Sequence, residues 1–433
     1  MAMNQQIIRS EKLGEQYIRV NHPSGLTILL CPMEGYSTSY ALFATKYGSI
    51  DTCFKTDKDD EFFQIPEGTA HYLEHKMFES EEGDAFEKYA TTGASANAFT
   101  SFDKTAFLFA CSDQFKESLE ILLDSVTHPY FTPETVAKEQ GIIGQEIGMY
   151  DDSADWRVLF NALDSMYVNH PVKIDIAGTV ESISHITDKT LYRCYNTFYN
   201  LSNMVLAVAG NFSVDEVMEV ADKVLKKCED IKVTRKKAEE PEQIVRSYAE
   251  QNLPVATPMF TIGIKSRNEG NRKNFEQMIV DEMIIDIICG ETTPLYHRLY
   301  EEGLINDGIN GEVMVGPDYL CSLIEGESKN PQKIYDEIWK EIDRLKDEGV
   351  DNVLFERTKK ATYGRYISLY SKPDSVASVL VNTYFAEMTL YELLDQVAGI
   401  TKEQVERRMR ENLNQAHSVL SVVSAEPMNR KGE

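Results

Sequence analysis

The chain has 433 residues, 42% of them hydrophobic and 26% charged, with 24 Gly and 14 Pro, which excludes collagen-like, low-complexity and wholly disordered classes. Lys and Arg number 44 against 70 Asp and Glu, a formal charge of −26. Such a chain repels phosphate, so neither nucleic acid nor an anionic membrane is expected as a main partner.

The elements are predicted in chain order. Strands at 17–20 and 26–30 flank the turn Pro23-Ser24-Gly25, and a third strand covers 40–47. A polar loop at 56–61 precedes a helix over 69–79. Residues 94–111 read as strand with a turn near Phe102-Asp103-Lys104. Helices follow at 115–126 and from Pro133 to about Tyr150, the second capped by Thr132. The apolar run 204–209 reads as a buried strand and 214–227 as a helix. A charged segment with Pro241 follows as a linker. The second half repeats the plan: strands at 259–265, 320–326 and 419–423, and helices at 275–289, 294–302, 331–348, 352–370 and 402–412. The expected organisation is α+β in two homologous domains, 1–228 and 248–433, joined by 229–247.

Seven cysteines, an odd number without a C-x-x-C pair, point to free thiols in a reducing compartment. Residues 1–12 carry no apolar signal core, and no stretch reaches membrane-span length. The expectation is a soluble cytoplasmic protein.

The chemistry concentrates in His71-Tyr72-Leu73-Glu74-His75. On a helix, His71 and His75 share a face and can point ring nitrogens at one ion. Glu74 lies on an adjacent side of the same turn. Two imidazoles beside a carboxylate form the core of a zinc hydrolase; two ordinary helical histidines are the bland alternative. A catalytic zinc also needs a third protein ligand, and the candidate is Glu146. Glu139 precedes it by seven residues on the same helical face. Gly141, Gly144 and Gly148 interleave with them and suggest close approach of another helix. A solvated carboxylate is the alternative for Glu146.

H-x-x-E-H followed by Glu139 and Glu146 resembles the pitrilysin, insulinase and mitochondrial processing peptidase family, the inverzincins. The likeness extends through Gly68 to Phe78, Ala96-Asn97-Ala98-Phe99-Thr100, Gly178 to Ile183 and Asn203 to Leu206. It is strongest toward short bacterial insulinase-like forms. The resemblance implies domains each built of an antiparallel-rich sheet with helices on one face. It implies a Zn2+ cofactor ligated by His71, His75 and Glu146, Glu74 as general base, and Glu139 as a carboxylate orienting the site. It also implies an edge strand at Asn97 and Ala98 that receives peptide substrate, Asn97 otherwise being a turn or strand-end residue. Arg298 would be the Arg of an Arg/Tyr pair that polarises the scissile carbonyl, but the position seven on is Ile305, which has no hydroxyl.

The expectation is therefore a zinc metalloendopeptidase for short or unfolded peptides, acting in a closed chamber. It would be a dimer, with the missing donor supplied by a homologue that lacks H-x-x-E-H. An acidic chamber wall would favour neutral or basic peptides. Two other classes stay open: a non-catalytic assembly subunit of the same fold, and a metal lyase of the S-ribosylhomocysteine type, which uses a distal Cys where this chain has Glu146.

Overall fold

Strand patterning sets the architecture. In Thr105–Cys111, Phe107 and Phe109 point to one face and Ala106 and Leu108 to the other; from Ala106 onward the segment is apolar because both faces are covered. Met204–Gly210 is buried at every position for the same reason. The computed structural model describes residues 4–81, 83–306 and 308–428.

Two compact units emerge, and neither is contiguous in sequence. The first comprises residues up to 145, 175–236 and 366–392; the second comprises 146–174, 237–365 and 393 onward. The first holds a seven-stranded sheet in the order Asn4–Ser10, Glu15–Asn21, Thr27–Pro32, Met204–Gly210, Ser39–Thr45, Thr105–Cys111, Ser95–Thr100. The second holds a five-stranded sheet in the order Tyr248–Asn252, Ser418–Ser424, Met259–Lys265, Leu320–Glu327, Ile309–Val315.

The pairing senses reveal a duplication. In the first sheet Thr27–Pro32 runs parallel to Met204–Gly210, and the next three pairings are antiparallel. In the second, Tyr248–Asn252 runs parallel to Ser418–Ser424, and three antiparallel pairings follow. The same five-strand topology thus occurs twice, as the repeated element order predicts.

Each sheet carries helices on one face and is closed on the other by a single helix from the opposite half of the chain. In the first unit, rings of Phe78, Tyr89, Phe115 and Tyr199 meet Phe107 and Phe109 on one face. The Pro373–Phe385 helix covers the other, setting Val376, Ala377, Leu380 and Val381 on Ala44, Ala106, Ala207 and Ala209. The alanines keep that face shallow enough for a helix to lie close. In the second unit, the Ala154–Met166 helix takes the corresponding place. A Cβ at Gly263 would stand 2.7 Å from Met166 Sδ, so a side chain here would displace the end of Met166 from the sheet. Ile285 of the Asn271–Cys289 helix packs on Gly311, which shares its face with its cross-strand partner Ile324, on the side of the sheet away from Met166.

Several elements differ from expectation. The helix predicted over 69–79 ends at Lys76, and Glu79–Ser80 pairs with Gly83–Asp84 as a short hairpin before a helix at Ala85–Thr92. The strand Asn4–Ser10 and the helix Pro373–Phe385 were not anticipated as elements. Thr132 does cap the long helix, its Oγ1 accepting from the Thr135 amide at 3.2 Å. Among the described residues, no helix is long and apolar enough to cross a membrane. All seven cysteines are free.

Candidate metal centre

The Thr69–Lys76 helix starts at Gly68, which has φ 84°, a left-handed conformation suited to glycine. A Cβ there would meet the Ala177 carbonyl oxygen at 2.4 Å, so the chain can approach this closely only without a side chain. Tyr72 and Leu73 are fully buried and anchor the helix inward. The Tyr72 hydroxyl donates to the Val136 carbonyl, tying this helix to the Pro133–Asp152 helix. Lys76 is fully buried and paired with Glu79.

That anchoring brings three ligand-type side chains together. The candidate ligand atoms of His71, His75 and Glu146 all lie within 4.8 Å of one another. The His71 and His75 ring centroids are 4.5 Å apart, as residues one helical turn apart should be. Glu146 is the first residue past the division between units, but the Pro133–Asp152 helix runs unbroken through it. The same rod therefore carries Glu139 and Glu146. Two imidazoles and one carboxylate at this separation are a donor set that fits Zn2+ and leaves a coordination position open.

Glu139 lies behind His75. Its Oε1 is 3.0 Å from His75 Nδ1, and the residue is 8% exposed. The hydrogen bond from His75 holds its carboxyl below the usual range. With Nδ1 so engaged, the His75 tautomer that offers Nε2 to an ion is favoured. Glu74 is 9% exposed and accepts from Thr100 Oγ1 at 3.0 Å. Thr100 ends the Ser95–Thr100 strand, which forms the edge of the seven-stranded sheet and is alternately exposed.

Asn97 sits exposed on that edge strand, with its Oδ1 accepting from the Ala98 amide at 2.9 Å. Among the described residues, the strand pairs on one side only. Arg298 belongs to the second unit, on the Pro294–Glu301 helix, where it pairs with Glu337. Ile305 is 2% exposed and is a packing residue. One expectation fails. A Cβ at Gly141, Gly144 or Gly148 would meet nothing within 4 Å, so no neighbouring backbone explains these glycines.

Sequence reasoning missed Tyr150. Its hydroxyl donates to Glu146 Oε1 at 2.7 Å. The i, i+4 spacing of Glu146 and Tyr150 was the available signal.

The family model described as Insulinase (Peptidase family M16) matches residues 64–180, the segment that contains His71, Glu74, His75, Glu139 and Glu146. The model for Peptidase M16 inactive domain matches 185–362. The uncharacterized zinc protease YmfH of Bacillus subtilis is 36% identical over 411 residues, covering 94% of this chain and 96% of that protein. The crystal structure of an M16-like peptidase from Alicyclobacillus acidocaldarius superposes with a TM-score of 0.89 at 33% identity, over 98% of this chain and 99% of the other. Pitrilysin shares the fold, with a TM-score of 0.72 at 17% identity; the match covers 98% of this chain but 47% of pitrilysin.

Proposed function

Since the chain belongs to the insulinase (M16) peptidase family, we propose that it is a zinc metalloendopeptidase acting on short or unfolded peptides. The observation that carries this reading is the convergence of His71, His75 and Glu146 within 4.8 Å, with Glu74 on the same helix as the two histidines. When bound, zinc supplies Lewis acidity that lowers the pKa of a water and polarises a carbonyl. Glu74 takes the proton from that water and returns it to the leaving amine. Glu139 keeps the His75 ring turned to the ion. The open edge of Ser95–Thr100 offers backbone groups to which an extended peptide adds as a further strand, with Asn97 and Ala98 in contact with it. Backbone pairing of this kind gives affinity with little dependence on sequence.

The test is direct. The purified chain should carry zinc, cleave an unstructured fluorogenic peptide, lose that activity to a chelator and regain it with zinc. A chain that binds no zinc after dialysis against it, or cleavage indifferent to the chelator, overturns the reading.

Ile305 bears on the assembly. A peptidase without a donor for the tetrahedral oxyanion forgoes roughly 10²–10³ in kcat. In this reading the active form is a dimer that closes a chamber, and the partner is a homologue lacking H-x-x-E-H that provides an Arg/Tyr pair. Pitrilysin, about twice as long, is consistent with two such chains making one enclosure. The free cysteines fit a cytoplasmic setting. Co-expression with such a homologue should raise kcat by about 10²–10³ over the isolated chain. Full activity in a homodimer sinks the partner proposal and leaves the zinc reading intact.

A further inference from the structure

Glu146 is a flexible side chain, and fixing it costs rotamer entropy. The structure places a rigid donor beside it. Tyr150 lies one turn further along the helix, and its hydroxyl meets Glu146 Oε1 at 2.7 Å, the usual length for an O–H···O bond. The Tyr150 ring stacks on Trp156, with centroids 4.6 Å apart and planes 17° from parallel. Trp156 meets Phe160 at 5.1 Å on the following helix, whose N-terminus is capped by Ser153. The hydroxyl thus comes from a ring whose orientation is set by its neighbours. A carboxylate accepting a bond on one oxygen keeps its other oxygen for an ion.

We propose that Tyr150 is a positioning residue for Glu146, holding the carboxylate in the orientation that completes the His71, His75 and Glu146 set. The inference rests on the metal reading above. It makes the two halves of the site alike: Glu139 steadies His75 and Tyr150 steadies Glu146. Groups that hydrogen-bond metal ligands from outside typically change metal affinity 10- to 100-fold when removed.

The experiment measures the zinc dissociation constant by chelator competition for the full chain and for Tyr150→Phe, Tyr150→Leu and His75→Ala. Phe keeps the stack on Trp156 and removes only the hydroxyl, so the metal-free Tyr150→Phe chain should melt with the wild type. Its zinc affinity should fall by about 10- to 100-fold, and the Leu variant should bind no more tightly. Wild-type affinity in either Tyr150 variant, while His75→Ala loses zinc, overturns the role of Tyr150 and leaves the metal site standing. Zinc binding that is absent from the wild type, or indifferent to His75→Ala, overturns the metal reading and this inference with it.

Discussion

Glu74→Gln is expected to lower peptide hydrolysis by about 10²–10⁴-fold while zinc stays bound, the range over which a positioned general base contributes. The substitution is close to isosteric. Gln can still accept from Thr100 Oγ1, which now meets Glu74 Oε2 at 3.0 Å, so the helix and its neighbours should keep their places. What Gln cannot do is take a proton. Glu74 is also absent from the convergent set of His71, His75 and Glu146, so metal retention is the natural control. The check is kcat/KM on an unstructured peptide alongside bound zinc per chain. Unchanged hydrolysis means that Glu74 is not the base. Loss of zinc means that it acts in binding instead, and the roles of Glu74 and Glu146 must then be reconsidered.

The parts of this site that were legible in sequence are those fixed by a helical repeat. His71 and His75 are one turn apart, and Glu139 and Glu146 are two turns apart. Each pair therefore shares a face whatever the rest of the chain does. Bringing the two pairs together depends on contacts that no local pattern encodes, such as the Tyr72 hydroxyl on the Val136 carbonyl. Thr100 is of the same kind. It reaches Glu74 only because Ser95–Thr100 pairs with Thr105–Cys111 beside the histidine helix. Gly141, Gly144 and Gly148 misled, because glycine in a helix is as compatible with an open surface as with a close crossing.

The fold shows the same division. Strands with continuous apolar runs, such as Met204–Gly210, were visible because burial on both faces dictates composition. The closing helices were not: Pro373–Phe385 was not anticipated as an element, and Ala154–Met166 was not assigned to a sheet. Ala154–Met166 and Pro373–Phe385 each bury a row of apolar residues, but nothing local tells them which sheet to cover. The answer lies in the alanines opposite Pro373–Phe385 and in Gly263 opposite Met166. Both are features of the receiving sheet, not of the helix.

A second large effect is expected in the core of the second unit. Asp281, 1% exposed, accepts from Arg408 Nε at 2.9 Å and Nη2 at 2.7 Å. Arg408 is 7% exposed, and its remaining nitrogen lies 3.6 Å from Glu269. The pair joins the Asn271–Cys289 helix to the Lys402–Asn412 helix. Two buried charges repay their own desolvation only when matched, so the intact pair adds little net stability. Truncating one side is another matter. Asp281→Ala strands a guanidinium in the interior at a cost of about 3–5 kcal/mol. Glu269 offers partial compensation, which places the effect toward the lower end. In urea, the transition of the second unit should move to a lower midpoint. Asp281→Leu combined with Arg408→Met replaces both charges with apolar groups and should recover most of the loss, because the penalty belongs to the unpaired charge and not to the missing bond. A double variant as unstable as Asp281→Ala would instead locate the stability in the bidentate contact itself.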